Sequence, residues 1–214
     1  MFVLNQVNSV ANHFLKELRS VEIQNDSMRF RKNMERLGEI LAYEMSKTFQ
    51  FKTEKISTPL SITEIQCINH PIVVATILRA GLPFFDGFLN FFDKAEAAFI
   101  AAYRGSEKPG SSFEINMDYC ACPSLDGKIL ILADPMLATG KSAVKVIKEL
   151  SKYGNPVSVH LASVIASPEG VKLVQEQTEN VNIWTAALDE KLNEKSYIVP
   201  GLGDAGDLSF GIRK

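Results

Sequence analysis

The chain reads as an α/β protein, a mainly parallel sheet flanked by helices. Three observations predict this. Short, continuously apolar runs recur along the chain without polar alternation, as strands buried on both faces require. Stretches with apolar residues at helical spacing lie between most of these runs. Alternation of the two kinds argues parallel strands joined by helical crossovers. A length of 214 residues suits one such domain, over 1–214, with a full core.

The elements follow in chain order. Two helices come first. Ser27 is expected to cap the second, whose Phe30, Met34, Leu37, Leu41 and Met45 share one face at 3.6-residue spacing. Strands are expected over Ile72–Leu78, Ala97–Tyr103, Lys128–Ala133, Val157–Ile165 and Asn182–Leu188, with helices such as Gly81–Phe92 and Pro168–Gln177 between them. Ser111–Tyr119 is a candidate for one more strand. Gly154-Asn-Pro156 and Gly170 read as punctuation within the domain.

The richest stretch is Ile129-Leu-Ile-Leu-Ala-Asp134-Pro-Met-Leu-Ala-Thr139-Gly140-Lys141-Ser142. An apolar strand ends in an acid, then passes through small and hydroxylic residues into a helix with Ala143, Val146, Ile147 and Leu150 on its buried face. The unpaired N–H groups of that helix's first turn face whatever anion sits there. Gly140-Lys141-Ser142 looks like the end of a Walker A loop. That loop needs a glycine five residues before Gly140, where this chain has Pro135. Proline supplies neither the donor nor the wide backbone curve, so an NTPase is excluded.

The stretch instead resembles the phosphoribosyl-diphosphate (PRPP) signature of type I phosphoribosyltransferases, and its spelling is close to that of the uracil phosphoribosyltransferases. Tyr197-Ile-Val-Pro200-Gly201-Leu-Gly203-Asp204-Ala205-Gly206-Asp207 is similar to the uracil-binding segment of those enzymes. Gly201-x-Gly203-x-x-Gly206 imitates a dinucleotide fingerprint, but only eight residues follow Gly206, too few for the helix and strand which that motif must open. The physical reading is a loop whose exposed backbone groups match the acceptor–donor–acceptor edge of uracil. Other bases would leave buried groups unpaired. Ile77-Leu78-Arg79-Ala80-Gly81, at the end of an apolar run, matches the family's pyrophosphate loop, with Asp86-Gly87 following and Pro83 where a glycine is usual. Pro83 is tolerable in the first turn of a helix. Ser27–Glu44 also resembles the family's N-terminal helix.

The resemblance implies the type I phosphoribosyltransferase fold with an N-terminal helical segment, a flexible flap at roughly 104–122 and a base-binding loop at roughly 197–207. It implies a pentosyltransferase that joins PRPP and uracil into UMP and diphosphate, with Mg²⁺ as cofactor. Catalysis would fall to Asp134, Arg79 and Arg104. Asp134, Pro135, Met136, Leu137, Ala138, Thr139, Gly140, Lys141 and Ser142 would hold the phosphoribose, and Arg79, Arg104 and Asp204 the diphosphate end. Backbone groups at Ile198, Gly203, Asp204 and Ala205 would hold uracil. Mg²⁺ would be bound mainly through PRPP and water, with Asp204 as its protein-side partner. The family also suggests a homodimer or higher homo-oligomer and, in some members, activation by GTP.

Two features depart from the family's pattern. Lys141 stands where a second glycine is usual, and it is expected to take helical dihedrals, with its charge near the 5′-phosphate or in solvent. The segment after Arg104 lacks the usual acidic and aromatic character. A non-catalytic or altered-specificity relative is the alternative reading these departures leave.

Composition is ordinary for a soluble globular protein. Hydrophobic residues make up 46% and charged ones 22%, and the net charge of −2 provides no general field for nucleic acid or anionic membrane. Met1-Phe-Val-Leu-Asn-Gln lacks the basic lead and apolar core of a signal peptide, and no apolar run reaches membrane-spanning length, so a cytoplasmic location is expected. Cys67, Cys120 and Cys122 have no zinc-like spacing, and Cys120-x-Cys122 sits badly for an unstrained disulfide. His13, His70 and His160 have no spacing for a metal site or a triad and are expected to be packing or surface residues.

Overall fold

The computed structural model describes residues 1–104 and 115–212, apart from the side chains of Tyr103, Arg104, Ile115 and Asn116. In chain order its elements are β1 (Phe2–Val3), α1 (Ala11–Arg19), α2 (Ser27–Ser46), β2 (Phe51–Ser57), β3 (Ile62–Ile68), β4 (Ile72–Leu78), α3 (Leu82–Leu89), β5 (Glu96–Arg104), β6 (Ile115–Ala121), β7 (Ile129–Ala133), β8 (Met136–Leu137), α4 (Lys141–Leu150), β9 (Ser158–Ala166), α5 (Pro168–Gln177), β10 (Val181–Leu188), β11 (Lys191–Leu192), β12 (Ile198–Val199) and α6 (Ala205–Phe210).

The main sheet runs β1-β10-β9-β7-β4-β5-β6, with β8 added beside β9. Its pairings are parallel except β5 with β6. Successive side chains of a strand point to opposite faces, so the apolar runs feed two cores at once. Ile72 and Val74 of β4, with Ile129 and Ile131 of β7, join Phe30, Met34, Phe84 and Phe88 from α2 and α3 on one face. Val73, Ala75, Leu130 and Leu132 join Val146 and Leu150 of α4 and Val174 of α5 on the other.

The five expected central strands and the helix Pro168–Gln177 form where the apolar pattern put them, within a residue at each end. The expected face of α2 is buried at all five positions. Its cap is one residue earlier than expected, because Asp26, in an extended conformation, accepts from Arg29 N. The helix expected over Gly81–Phe92 is shorter, Leu82–Leu89, with Pro83 in its first turn. A Cβ on Gly38 would lie 2.4 Å from the Phe84 carbonyl oxygen, and one on Gly87 would lie 2.1 Å from that of Glu35, so these two glycines let α2 and α3 touch backbone to backbone.

Four features were not expected from sequence. The short strand β1 joins the sheet edge beside β10, β8 interrupts what read as continuous loop, and β11 pairs with β12. The fourth is a hairpin, β2 with β3, that pairs with no other strand. Its residues are mostly exposed, so it lacks the one-sided apolar face that marks a strand in a sequence. The strand expected over Ser111–Tyr119 appears as β6, starting at Ile115, and the core of the expected flap, 105–114, lies outside the described residues.

Candidate active site

β7, β4 and β5 are adjacent and parallel, so the residues that follow them share one edge of the sheet, where open α/β sheets bind ligands. Asp134 follows β7, Arg79 follows β4, and Arg104 ends β5; the Arg104 side chain lies outside the described residues.

A cleft of about 90 Å³ opens beyond β7, lined by Asp134, the run from Met136 to Ala143, and Ser196. Pro135 alone of the predicted stretch is missing from its wall. That residue is buried, and its carbonyl accepts from Val164 N at 3.0 Å and Ile165 N at 3.1 Å, pinning the turn to β9. Gly140, left-handed at φ +76°, is the N-cap of α4. Gly140 has no side chain to cap that helix, and among the described residues the one side chain at its start is Thr139, whose Oγ1 accepts from Lys141 N at 3.5 Å, so the first turn is open to an anion. Lys141 begins α4 with an exposed side chain at the cleft's lip, in the helical conformation expected of it.

The loop is shaped from behind by residues that sequence reasoning passed over. Ser167 Oγ donates to the Ala138 carbonyl at 2.6 Å and accepts from Gly170 N at 2.9 Å, while Ser167 N donates to the Leu137 carbonyl at 2.9 Å. A Cβ on Gly170 would lie 2.2 Å from the Ala138 oxygen, and one on Gly140 would lie 2.7 Å from the Gly170 oxygen. Gly170, expected to be punctuation, is the platform on which the loop rests. Ser196 was missed as well; it reaches the cleft from a polar turn with nothing in the local sequence to mark it.

Asp134 is half-buried, and burial pushes its carboxyl from the usual 3.8 up to about 7, against the lowering effect of the Met136 N–H. The carboxyl therefore sits near the point where it accepts or releases a proton at neutral pH. Asp134 N is held by the Ala162 carbonyl at 3.0 Å.

The pyrophosphate-loop candidate is folded tightly onto β7. Thr76 Oγ1 donates to the Ala133 carbonyl at 3.1 Å, and a Cβ on Gly81 would lie 2.1 Å from that hydroxyl. The Leu78–Arg79 peptide is cis. Arg79 reaches across to the C-terminal segment, 3.6 Å from the Asp207 carboxylate and 3.4 Å from the Gly211 carbonyl, to which it donates. Arg31 donates to the Ser209 carbonyl at 2.7 Å, so α2 holds the same segment from its other side. The segment read as a glycine loop is part strand and part helix: Ile198 lies in β12, and Ala205, Gly206 and Asp207 form the start of α6. Asp204 caps that helix, its Oδ1 accepting from Gly206 N at 2.9 Å and Asp207 N at 3.0 Å. Three predicted pieces, 77–81, 133–142 and 197–207, thus meet along one edge.

Two of the residues expected to lie outside the site have plain surroundings. His160 is buried in the core, accepts at Nδ1 from Trp184 Nε1 at 3.1 Å, and burial lowers its pKa to about 4. Burial pushes the Cys122 thiol up to about 11, so it is a poor nucleophile at neutral pH.

Comparison with known proteins gives this geometry a family. A family model described as uracil phosphoribosyltransferase matches residues 6–212. The chain belongs to the uracil phosphoribosyltransferase family. A uracil phosphoribosyltransferase from Porphyromonas gingivalis is 48% identical over 209 residues, covering 97% of this chain and 96% of that protein. A solved structure of an Aquifex aeolicus protein superimposes with a TM-score of 0.88 at 33% identity, covering 99% of each chain. The fold is also found at much lower sequence identity. A purine phosphoribosyltransferase from Pyrococcus horikoshii matches with a TM-score of 0.51 at 17% identity, covering 74% of this chain and 84% of that one. The architecture common to the uracil family and this purine enzyme is the type I phosphoribosyltransferase fold.

Proposed function

We propose that this chain transfers the 5-phosphoribosyl group of PRPP to N1 of uracil, giving UMP and diphosphate, the reaction of pyrimidine salvage. The bond between C1′ and the diphosphate oxygen breaks, the bond between C1′ and N1 forms, and the N1 proton passes to the departing diphosphate or to solvent. The observation that carries this reading is the meeting of an anion cleft, a diphosphate-side arginine and a base-side backbone segment, with Arg79 3.6 Å from Asp207.

Each part has a task set by the chemistry. The α4 N–H groups with Thr139 and Ser142 hold the 5′-phosphate. Asp134 accepts from the ribose hydroxyls and offsets the positive charge that develops on the sugar as the diphosphate departs, a centre like that of glycoside cleavage. Arg79 and Arg104 offset charge building on the leaving group. Backbone groups at Ile198 and 203–205 hold uracil with N1 facing C1′, which lowers the entropic part of the barrier.

Among the described residues no group of three or more His, Cys, Asp or Glu side chains is placed to hold a metal. Mg²⁺ would come carried on the oxygens of PRPP and water, since this ion keeps waters and takes few protein ligands beside phosphates. When bound, Mg²⁺ supplies charge neutralisation of the diphosphate. Asp204, already a helix cap, is the protein-side candidate in the base segment.

The test is UMP formation from uracil and PRPP with Mg²⁺, run beside hypoxanthine and orotate. UMP from uracil alone is the expected result, and no UMP, or equal rates with all three bases, would overturn the reading.

Two further properties belong to the same proposal. The three cysteines are unpaired, in keeping with a reducing, cytoplasmic setting. The unit is a homodimer or larger homo-oligomer. The β2–β3 hairpin supports this, because an isolated two-stranded hairpin is marginal in water, and this one exposes Phe51, Ile62 and Ile65. Sedimentation equilibrium of the wild type should give a multiple of the 23.7 kDa chain mass, and F51S/I62S/I65S should shift it toward the monomer. A wild-type monomer would exclude the oligomer.

A further inference from the structure

The turn that opens the base segment is tied to two residues that lie outside all three motifs. Asp189 follows β10, with its side chain 4% exposed, and Arg19 is the last residue of α1. Arg19 donates through Nη2 to Asp189 Oδ1 at 2.6 Å and through Nη1 to Asp189 Oδ2 at 2.9 Å, a two-pronged pair. Both partners then hold Gly201. Its N–H donates to Asp189 Oδ2 at 2.8 Å, and its carbonyl accepts from Arg19 Nη1 at 3.0 Å. The next residue is held from the turn between α1 and α2, since the Gln24 amide, oriented to donate, reaches the Leu202 carbonyl at 2.7 Å.

Gly201 has little freedom within this clamp. It is left-handed at φ +67°, and a Cβ would lie 2.2 Å from the Ile198 carbonyl oxygen. The turn therefore fixes the direction in which the chain leaves β12 and enters Gly203–Ala205. A mostly buried ion pair whose remaining hydrogen bonds both go to one turn is a costly way to gain stability, since apolar residues of similar volume often do as well. It is an effective way to set a backbone position.

We propose that Arg19 and Asp189 are positioning residues for the base: they spend the Gly201 N–H and carbonyl on a fixed clamp, and so set the backbone groups after it at the spacing that reads uracil. This role rests on the assignment of 198–205 as the uracil segment. It explains why the pair is an arginine fork, because the single point charge of lysine cannot hold both carboxylate oxygens and the carbonyl in one plane. It also separates the two halves of the site, since among the described residues the side-chain hydrogen bonds of the clamp run to the base segment and none to 134–142.

The test is steady-state kinetics of UMP formation with R19A and R19K, with KM for uracil, KM for PRPP and kcat read separately, and with thermal melting alongside. R19A is expected to raise KM for uracil on the order of tenfold while moving KM for PRPP by less than about twofold. R19K should fall between R19A and wild type, and millimolar methylguanidinium should restore much of the loss in R19A and do nothing to wild type. If R19A does not fold, R19K carries the same split between the two KM values. A parallel rise in both constants, or a lower melting temperature with KM for uracil unchanged, would overturn the role alone. Wild-type protein that forms no UMP would overturn the functional reading and this role together.

Discussion

Replacing Asp134 with asparagine should lower kcat by roughly 100- to 1,000-fold, the usual size of a lost electrostatic partner of the transition state. Asparagine keeps the shape and one acceptor oxygen but cannot carry the negative charge that faces the cationic sugar. The same substitution should change the pH dependence of stability. The Asp134 carboxyl has a folded pKa of about 7 against an ordinary 3.8. The folded state therefore holds a proton that the unfolded chain gives up. Its contribution to stability is whole below 3.8 and is lost progressively as the pH rises to about 7. Asparagine has no such proton, so the melting temperature of D134N should gain on that of wild type as the pH is raised from 4 to 7. Donation from ribose hydroxyls favours the charged carboxylate, so kcat/KM for PRPP in wild type should climb toward neutral pH. Melting curves and pH–rate profiles of the two proteins check both halves. Equal rates, or parallel melting curves across the window, would remove Asp134 from the reaction or from its buried environment.

Replacing Gly140 with valine should reduce kcat/KM for PRPP by roughly 100-fold, the equivalent of two steps of about 1.4 kcal/mol. Two physical costs combine. A β-branched residue at φ +76° is strained by about 1–3 kcal/mol, and its Cβ would lie 2.7 Å from the Gly170 oxygen. The backbone must then move, and the first-turn N–H groups of α4 move with it. The loss should appear in PRPP affinity measured by titration calorimetry, with uracil binding to the pre-formed PRPP complex little changed once PRPP is saturating. PRPP binding at wild-type strength would mean that the loop does not hold the phosphate.

The elements that sequence reasoning found are those whose cause is local. A run such as Ile129–Ala133 is apolar at every position because both faces of its strand are covered, and any reader of the sequence sees that. The face of α2 is visible because a helix repeats every 3.6 residues. The Asp134–Ser142 cradle is legible for the same reason, with acid, hydroxyl and glycine placed by a strand–turn–helix that spans only a few residues. Lys141 shows the limit of spelling. It departs from the family's pattern, yet the left-handed φ belongs to Gly140, one residue earlier, and Lys141 enters an ordinary helix.

The hairpin β2–β3 was invisible because its strands bury almost nothing within the chain, and burial is what imprints a period on a sequence. The cap of α2 was misread by one residue, since Asp26 and Ser27 are both good caps and only the extended backbone of Asp26 decides between them.

By itself the sequence determined the layers, the order of strands along the chain, and the three motifs that place the protein among the phosphoribosyltransferases. Only the tertiary structure decided how those motifs are held. Gly170 beneath the phosphate loop, Ser196 at the cleft and Arg79 beside Asp207 are each the meeting of segments distant in the chain. A fourth is the pair Arg19 and Asp189, 170 residues apart, closing on Gly201. The reason is physical. Propensity, periodicity and turn chemistry act over a few residues and leave their mark there. A hydrogen bond between remote segments leaves none, because neither partner's neighbours record what it will meet.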